Sequence, residues 1–264
     1  MEIIGYAAAV LIGISLGLIG GGGSILTVPV LVYLFGIDAF MATEYSLFIV
    51  GISSLVGSVS YFKKGLINFK IALIFGIPSV ISIFLTRLYL LPLIPEKVFQ
   101  INSFLVTKNV FLLLIFAGLM ILASYKMIRK SIMEKPLKHK TNNNKALQAA
   151  GQGSIVGVLT GLVGAGGGFM IIPALVNLLK IPMKIAIGTS LVIISINSLI
   201  GFLTSVNHVQ IEWKLLLSIT AIAVAGIITG SQLSKKIDGK KLKPAFGWFI
   251  LIMGIYIITK EIFV

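Results

Sequence analysis

The chain has 264 residues, of which 57% are hydrophobic and 11% charged, and its mean hydropathy is +1.07. A soluble domain is about a quarter charged, so this composition excludes an ordinary cytosolic enzyme, a disordered chain and a nucleic-acid-binding module. The net charge of +14 lies in short clusters between apolar runs, where it orients a polytopic membrane protein rather than binding nucleic acid.

The opening MEIIGYAAAV carries Glu2 and no base before its apolar run, and reads as a first membrane segment rather than a cleaved signal. Residues 3–19 are apolar, Gly20 to Gly23 interrupt, and 25–36 is apolar but too short to span. This predicts a re-entrant hairpin broken by glycine. Spanning helices follow at about 39–62, 66–86 and 107–125. The stretch 126–146, with Lys126, Arg129, Lys130, Lys135, Lys138, Lys140 and Lys145, is a basic linker that divides a first membrane repeat (1–125) from a second (147–264). Residues 147–163, the interruption Gly164 to Gly168, and 169–179 predict a second broken hairpin. Spans at 185–206, 213–232 and 244–260 complete the chain.

With the linker inside, each hairpin returning to its own side, and both termini outside, 17 of the 22 bases fall inside. The other 5 are Arg87, Lys97, Lys108, Lys214 and Lys260. The scheme makes the protein a multi-pass membrane chain, with Lys-rich loops meeting acidic lipid. Cysteine is absent and the two histidines, His139 and His208, are far apart, so neither a metal site nor a cofactor is expected.

The two halves match at a constant offset of 144 residues. GLIGGGGSILTVP (Gly17 to Pro29) lies over GLVGAGGGFMIIP (Gly161 to Pro173). Ala42, Ser46, Ser54, Gly57 and Lys70 fall on Ala186, Ser190, Ser198, Gly201 and Lys214 without a gap. By the charge count the halves face opposite ways. The expected fold is therefore all-α with two inverted repeats, each a broken re-entrant hairpin plus three spanning helices. Such repeats with broken helices are a recurring plan of secondary transporters.

Each glycine break costs helix propensity and must be buried or line a cavity. A short helix beginning near Ser24, and another near Phe169, would turn their free N–H groups toward the midplane. There they would bind a small oxyanion without any lysine or arginine in the core. The candidate substrate-binding residues are Gly21, Gly22, Gly23, Ser24, Gly166, Gly167 and Gly168. They are joined by the hydroxyls of Ser46, Thr189 and Ser190 and by the amide of Asn197. Gly13/Gly17, Gly153/Gly157 and Gly157/Gly161 fit close helix packing instead. Glu44 is the one acid set well inside a span, and is the candidate proton-coupling group. No acid/base pair, activated nucleophile or metal cluster lies within the spans, so no enzyme is expected.

The doubled motif, GLIGGGGS and GLVGAGGG each followed four residues later by proline, resembles the TauE/SafE family of bacterial membrane transporters, the sulfite exporters. The elements ATEYSL (Ala42 to Leu47) and AIGTSL (Ala186 to Leu191) fit the same family. The resemblance implies transport of a sulfur oxyanion or organosulfonate across the cytoplasmic membrane, coupled to protons. The residues by themselves specify only a small anion. A carboxylate carrier, a passive anion channel and a scaffold without transport are the alternatives.

Overall fold

The computed structural model of the chain describes residues 2–101, 104–130, 144–164, 166–206, 210–234 and 239–263. The first half runs through α1 (Glu2–Ile19), α2 (Gly22–Tyr33), α3 (Ala39–Phe62) and α4 (Phe69–Leu85). A π-helical segment, Thr86–Leu90, and α5 (Leu91–Leu93) prolong α4. An antiparallel hairpin of β1 (Lys97–Ile101) and β2 (Phe104–Thr107) leads into α6 (Lys108–Lys130). The second half contains α7 (Asn144–Val163), α8 (Gly168–Pro173) with a π-helical continuation Ala174–Leu178, α9 (Met183–Ser205), α10 (Trp213–Leu233) and α11 (Gly239–Phe263). The expected all-α polytopic architecture holds, with the short β-hairpin as an addition.

Among the described residues six helices are long and apolar enough to cross a membrane: Ala39–Phe62, Phe69–Leu93, Lys108–Tyr125, Ala146–Val163, Met183–Ser205 and Trp213–Leu233. Five coincide with predicted spans. The sixth, Ala146–Val163, was expected as one arm of a hairpin, and at about 1.5 Å per residue it reaches most of the way through a bilayer core. The last predicted span, 244–260, lies within α11. Most of the basic linker, His139, His208 and part of the 235–243 lysine cluster lie outside the described residues.

Local chemistry sets the ends of the central helices. The Asp38 carboxylate accepts hydrogen bonds from Phe40 N at 2.9 Å and Met41 N at 3.4 Å, capping α3. The Asn68 side chain accepts from Ile71 N at 3.1 Å and starts α4. α3 and α9 form the centre, with 67% and 72% of their spans buried, against 33% for α4 and α6. Along α4, Leu73, Ile77, Ile81 and Phe84 are exposed at helical spacing, which forms an apolar stripe suited to lipid.

Contacts recur at the 144-residue offset. α1 lies along α10 as α7 lies along α4, and α3 packs on α9. A Cβ on Gly13 would stand 2.8 Å from the Gly226 Cα, and one on Gly157 would stand 2.8 Å from the Ser82 Cβ. Gly17 abuts Gly230 and Ser231, while Gly161 abuts Thr86 and Ile83. Gly226 and Gly230 are the repeat positions of Ser82 and Thr86. α1 and α2 pack together, and the Tyr6 and Phe35 rings meet edge to face at 5.6 Å, so the chain returns to the end of α1 at which it began.

These approaches leave no room for a methyl group. Gly157→Ala is expected to cost about 1–3 kcal/mol through overpacking, read as a lower thermal midpoint of the purified protein in detergent. Gly118 has nothing within 4 Å of its Cβ position, so Gly118→Ala should leave that midpoint unchanged or raise it.

Candidate functional site

The interruption after α1 begins at Gly20 and the one after α7 at Gly164, with φ of +77° and +69°. Side chains strain this left-handed backbone, which glycine adopts freely. Gly20 rests on Ile187 and Gly164 on Thr43, so the repeat position of each partner is the other's partner. α2 then starts at Gly22, slightly before the predicted Ser24, and α8 starts at Gly168, with Gly21 and Gly167 as their N-caps.

The two breaks touch. A Cβ on Gly168 would lie 2.6 Å from the Gly21 Cα and 2.7 Å from Ile194 Cδ1, while a Cβ on Gly21 would run into the Gly168 carbonyl. Gly166 reaches the middle of α3 and α9, where its Cβ would be 2.9 Å from Val50 Cγ1 and 2.6 Å from Ser198 Oγ. Ala165 lies outside the described residues.

Buried polar atoms without partners lie on the helices around this crossing, with Ser198 Oγ against Gly166 and the Thr160 hydroxyl against Gly167. The Ser46, Ser53, Ser54 and Ser198 hydroxyls are fully buried and have no hydrogen-bond partner. The Thr160 hydroxyl, against which Gly167 packs, and Asn197 Oδ1 share that condition. Ser46 and Ser53 are seven residues apart, about two turns along one face of α3. Buried polar atoms are nearly always paired, so a cluster of unpaired ones has the chemistry of a ligand site.

Several predicted residues make internal bonds instead. Ser24 Oγ donates to the Gly21 carbonyl at 2.7 Å. Thr189 Oγ1 accepts from Asn68 N at 2.9 Å. Ser190 Oγ donates to the Ile187 carbonyl at 2.8 Å and reaches the Gly20 carbonyl at 3.4 Å. Asn197 Nδ2 donates to Ser79 Oγ at 2.8 Å. Gly23 faces Ile12 and Leu16 of α1 rather than the opposite break. Gly22 opens α2.

Glu44 is 1% exposed and does not stand alone. Arg87 Nη1 donates to Glu44 Oε1 at 2.6 Å and to Ser205 Oγ at 2.9 Å. Arg87, expected among the outside bases with no basic group in the core, lies instead inside the protein. The π-helical segment and α5 carry the helix on to Leu93, which leaves Arg87 4% exposed inside the protein. The signal was present. A carboxylate at membrane depth calls for a partner, and Arg87 is followed by six apolar residues and one proline before Pro95. Ser54 and Ser198 were visible as repeat partners without a role.

A family model described as sulfite exporter TauE/SafE matches residues 5–257. The chain belongs to this family. A probable membrane transporter protein of Xylella fastidiosa strain Temecula1 is 27% identical over 255 residues, covering 95% of this chain and 92% of that protein. The probable membrane transporter protein YunE of Bacillus subtilis strain 168 is 27% identical over 264 residues, covering 93% of each. A probable membrane transporter protein of Methanocaldococcus jannaschii is also 27% identical, covering 94% of this chain and 92% of that protein. No solved structure matches the chain. Family membership and the apolar helices make this TauE/SafE chain a multi-pass membrane protein of transporter rather than enzyme kind.

Removing one member of a buried ion pair strands the other charge and costs about 3–5 kcal/mol. Arg87→Leu is therefore expected to lower the thermal midpoint in detergent sharply. The double variant Glu44→Leu/Arg87→Leu should recover most of that loss, since it strands no charge.

Proposed function

We propose that the chain is a secondary transporter of the cytoplasmic membrane that carries a small sulfur-containing anion, such as sulfite, thiosulfate or an organosulfonate, by alternating access. The observation that carries this reading is the meeting of two glycine breaks at the middle of α3 and α9, beside buried hydroxyls with no partner. Backbone N–H groups opening α2 and α8, with the Ser46, Ser54 and Ser198 hydroxyls, supply donors suited to an oxyanion. Gly21, Gly22, Gly166, Gly167 and Gly168 let the anion approach the backbone. Ser24, Thr189, Ser190 and Asn197 shape the surrounding frame. The sulfur chemistry comes from the family description, sulfite exporter.

The two halves act as inverted repeats in this proposal. The reciprocal contacts of Gly20 with Ile187 and of Gly164 with Thr43 support it, as does the α1–α2 hairpin that closes on Tyr6 and Phe35. The termini face outside and the 126–146 linker faces the cytoplasm, in keeping with 17 of 22 bases inside. Glu44 couples transport to protons. Direct contact between the breaks makes the present state an occluded one, which must part before an anion enters.

The test is thermal stability of the purified protein against sulfite, thiosulfate, short sulfonates, small carboxylates, sulfate, phosphate and chloride at matched ionic strength. A true ligand at about 100 times its dissociation constant adds about 2.7 kcal/mol. Selective stabilisation by a sulfur anion is expected, and a response to carboxylates alone would move the substrate class to organic acids. In proteoliposomes the flux should saturate and run uphill on a proton gradient, which a passive channel cannot do. Gly167→Val, which pushes a side chain at Thr160, should abolish that flux. Wild-type flux from a well-inserted Gly167→Val protein would count against the site.

A further inference from the structure

We infer that Arg87 is an anion-binding residue of the transport site, and that the anion and the Glu44 carboxylate compete for its guanidinium. This deepens the proposed function and rests on it.

Little of Arg87 is in use. A guanidinium has five N–H donors. The two on Nη1 serve Glu44 Oε1 and Ser205 Oγ. Nε and Nη2 are buried and have no partner, and Glu44 Oε2 has none either. A purely structural pair at zero exposure would be expected to use the bidentate fork, since every unmade buried bond of a charged group is costly. Here the pair is single-pronged, and the unused Nε and Nη2 edge is the one that matches two oxygens of a planar or tetrahedral oxyanion.

The setting supports the same assignment. Arg87 sits in a π-helical segment, a distortion common at functional sites. Its Nε is 3.6 Å from the position a Gly201 Cβ would take, so α9 presents bare backbone toward the fork. Glu44 follows Thr43, on which the Gly164 break rests, and Arg87 follows Thr86, against which Gly161 packs. The pair thus flanks the end of α7 that leads into the second break. No other titratable group acts on Glu44 among the described residues, and Ser205 supplies the neighbouring hydroxyl.

Binding and proton coupling then become one event. An oxyanion that takes Arg87 releases Glu44. A buried carboxylate without a cation is costly as the anion and neutralises itself by taking a proton. The anion and one proton enter together, and the pair re-forms when both leave. The trio of Glu44, Arg87 and Ser205 has no counterpart at the matching repeat positions. Glu44, Arg87 and Ser205 correspond to Gly188, Ser231 and Tyr61. The Tyr61 Cβ fills the space beside Gly188, and its hydroxyl donates to the Gly17 carbonyl at 3.1 Å.

The experiment uses the full-length protein in weakly buffered detergent, with sulfite, thiosulfate and methanesulfonate at an alkaline pH where all three are fully ionised. Anion binding and proton uptake are recorded together. Wild type should take up about one proton for each anion bound. Glu44→Gln should bind more tightly, because the competing carboxylate is gone, and should take up no proton. Arg87→Lys, which keeps the charge without the fork, should bind at least about tenfold more weakly. The double variant Glu44→Gln/Arg87→Gln, which strands no charge, should stay folded without binding. Binding without proton uptake by wild type, or unchanged binding by Arg87→Lys and the double variant, overturns the inference while leaving the transporter reading intact. Absence of binding by wild type to all three anions overturns both.

Discussion

Backbone-to-backbone contact between Gly21 and Gly168 is the constraint on which the rest of the structure depends. Two interrupted helices can meet at the centre of a membrane protein only if nothing projects from either at the crossing. That requirement puts glycine at both breaks and forces the flanking arms to be held from outside. α10 holds α1 and α4 holds α7, again through glycine faces. α3 and α9 close the middle, and the hydroxyls of Ser46, Ser53, Ser54 and Ser198 on them have no partner. The proposed site is thus a by-product of how tightly the two halves must cross.

Polar groups divide into two kinds around that crossing. Ser24, Thr189 and Ser190 satisfy backbone groups. Ser46, Ser54 and Ser198 satisfy nothing. Hydroxyls elsewhere in the helices, such as those of Ser58, Ser195 and Thr220, bond a carbonyl three or four residues back, so the free ones of Ser46, Ser54 and Ser198 stand out against that pattern.

Much of the architecture was legible because apolar length and the 144-residue repeat are properties of sequence alone. The breaks appeared within two residues of their true places, since Gly20 to Gly23 in one half and the glycines of 164–168 in the other announce them. What could not be read was which hydroxyls remain free, because Ser46 and Ser190 occupy the same repeat position and differ only in what folds against them. Arg87 was hidden for another reason. A span's end was drawn at the first charge, and a charge that is paired at distance in sequence does not end a span. The β-hairpin at 97–107 was equally invisible, being a short irregular insertion that the repeat does not contain.

The replacement of the Glu44, Arg87 and Ser205 trio by Gly188, Ser231 and Tyr61 in the other half has a consequence for resting populations. A carrier with two identical halves would favour neither orientation. Under the proposed alternating access, an ion pair at one end and a tyrosine plug at the other give the two orientations different energies. A difference of about 1.4 kcal/mol already means a tenfold preference. The empty protein would then wait predominantly with one face presented, so the side from which substrate is more readily taken up would be written into three side chains far apart in sequence, while the gradients set the direction of net movement.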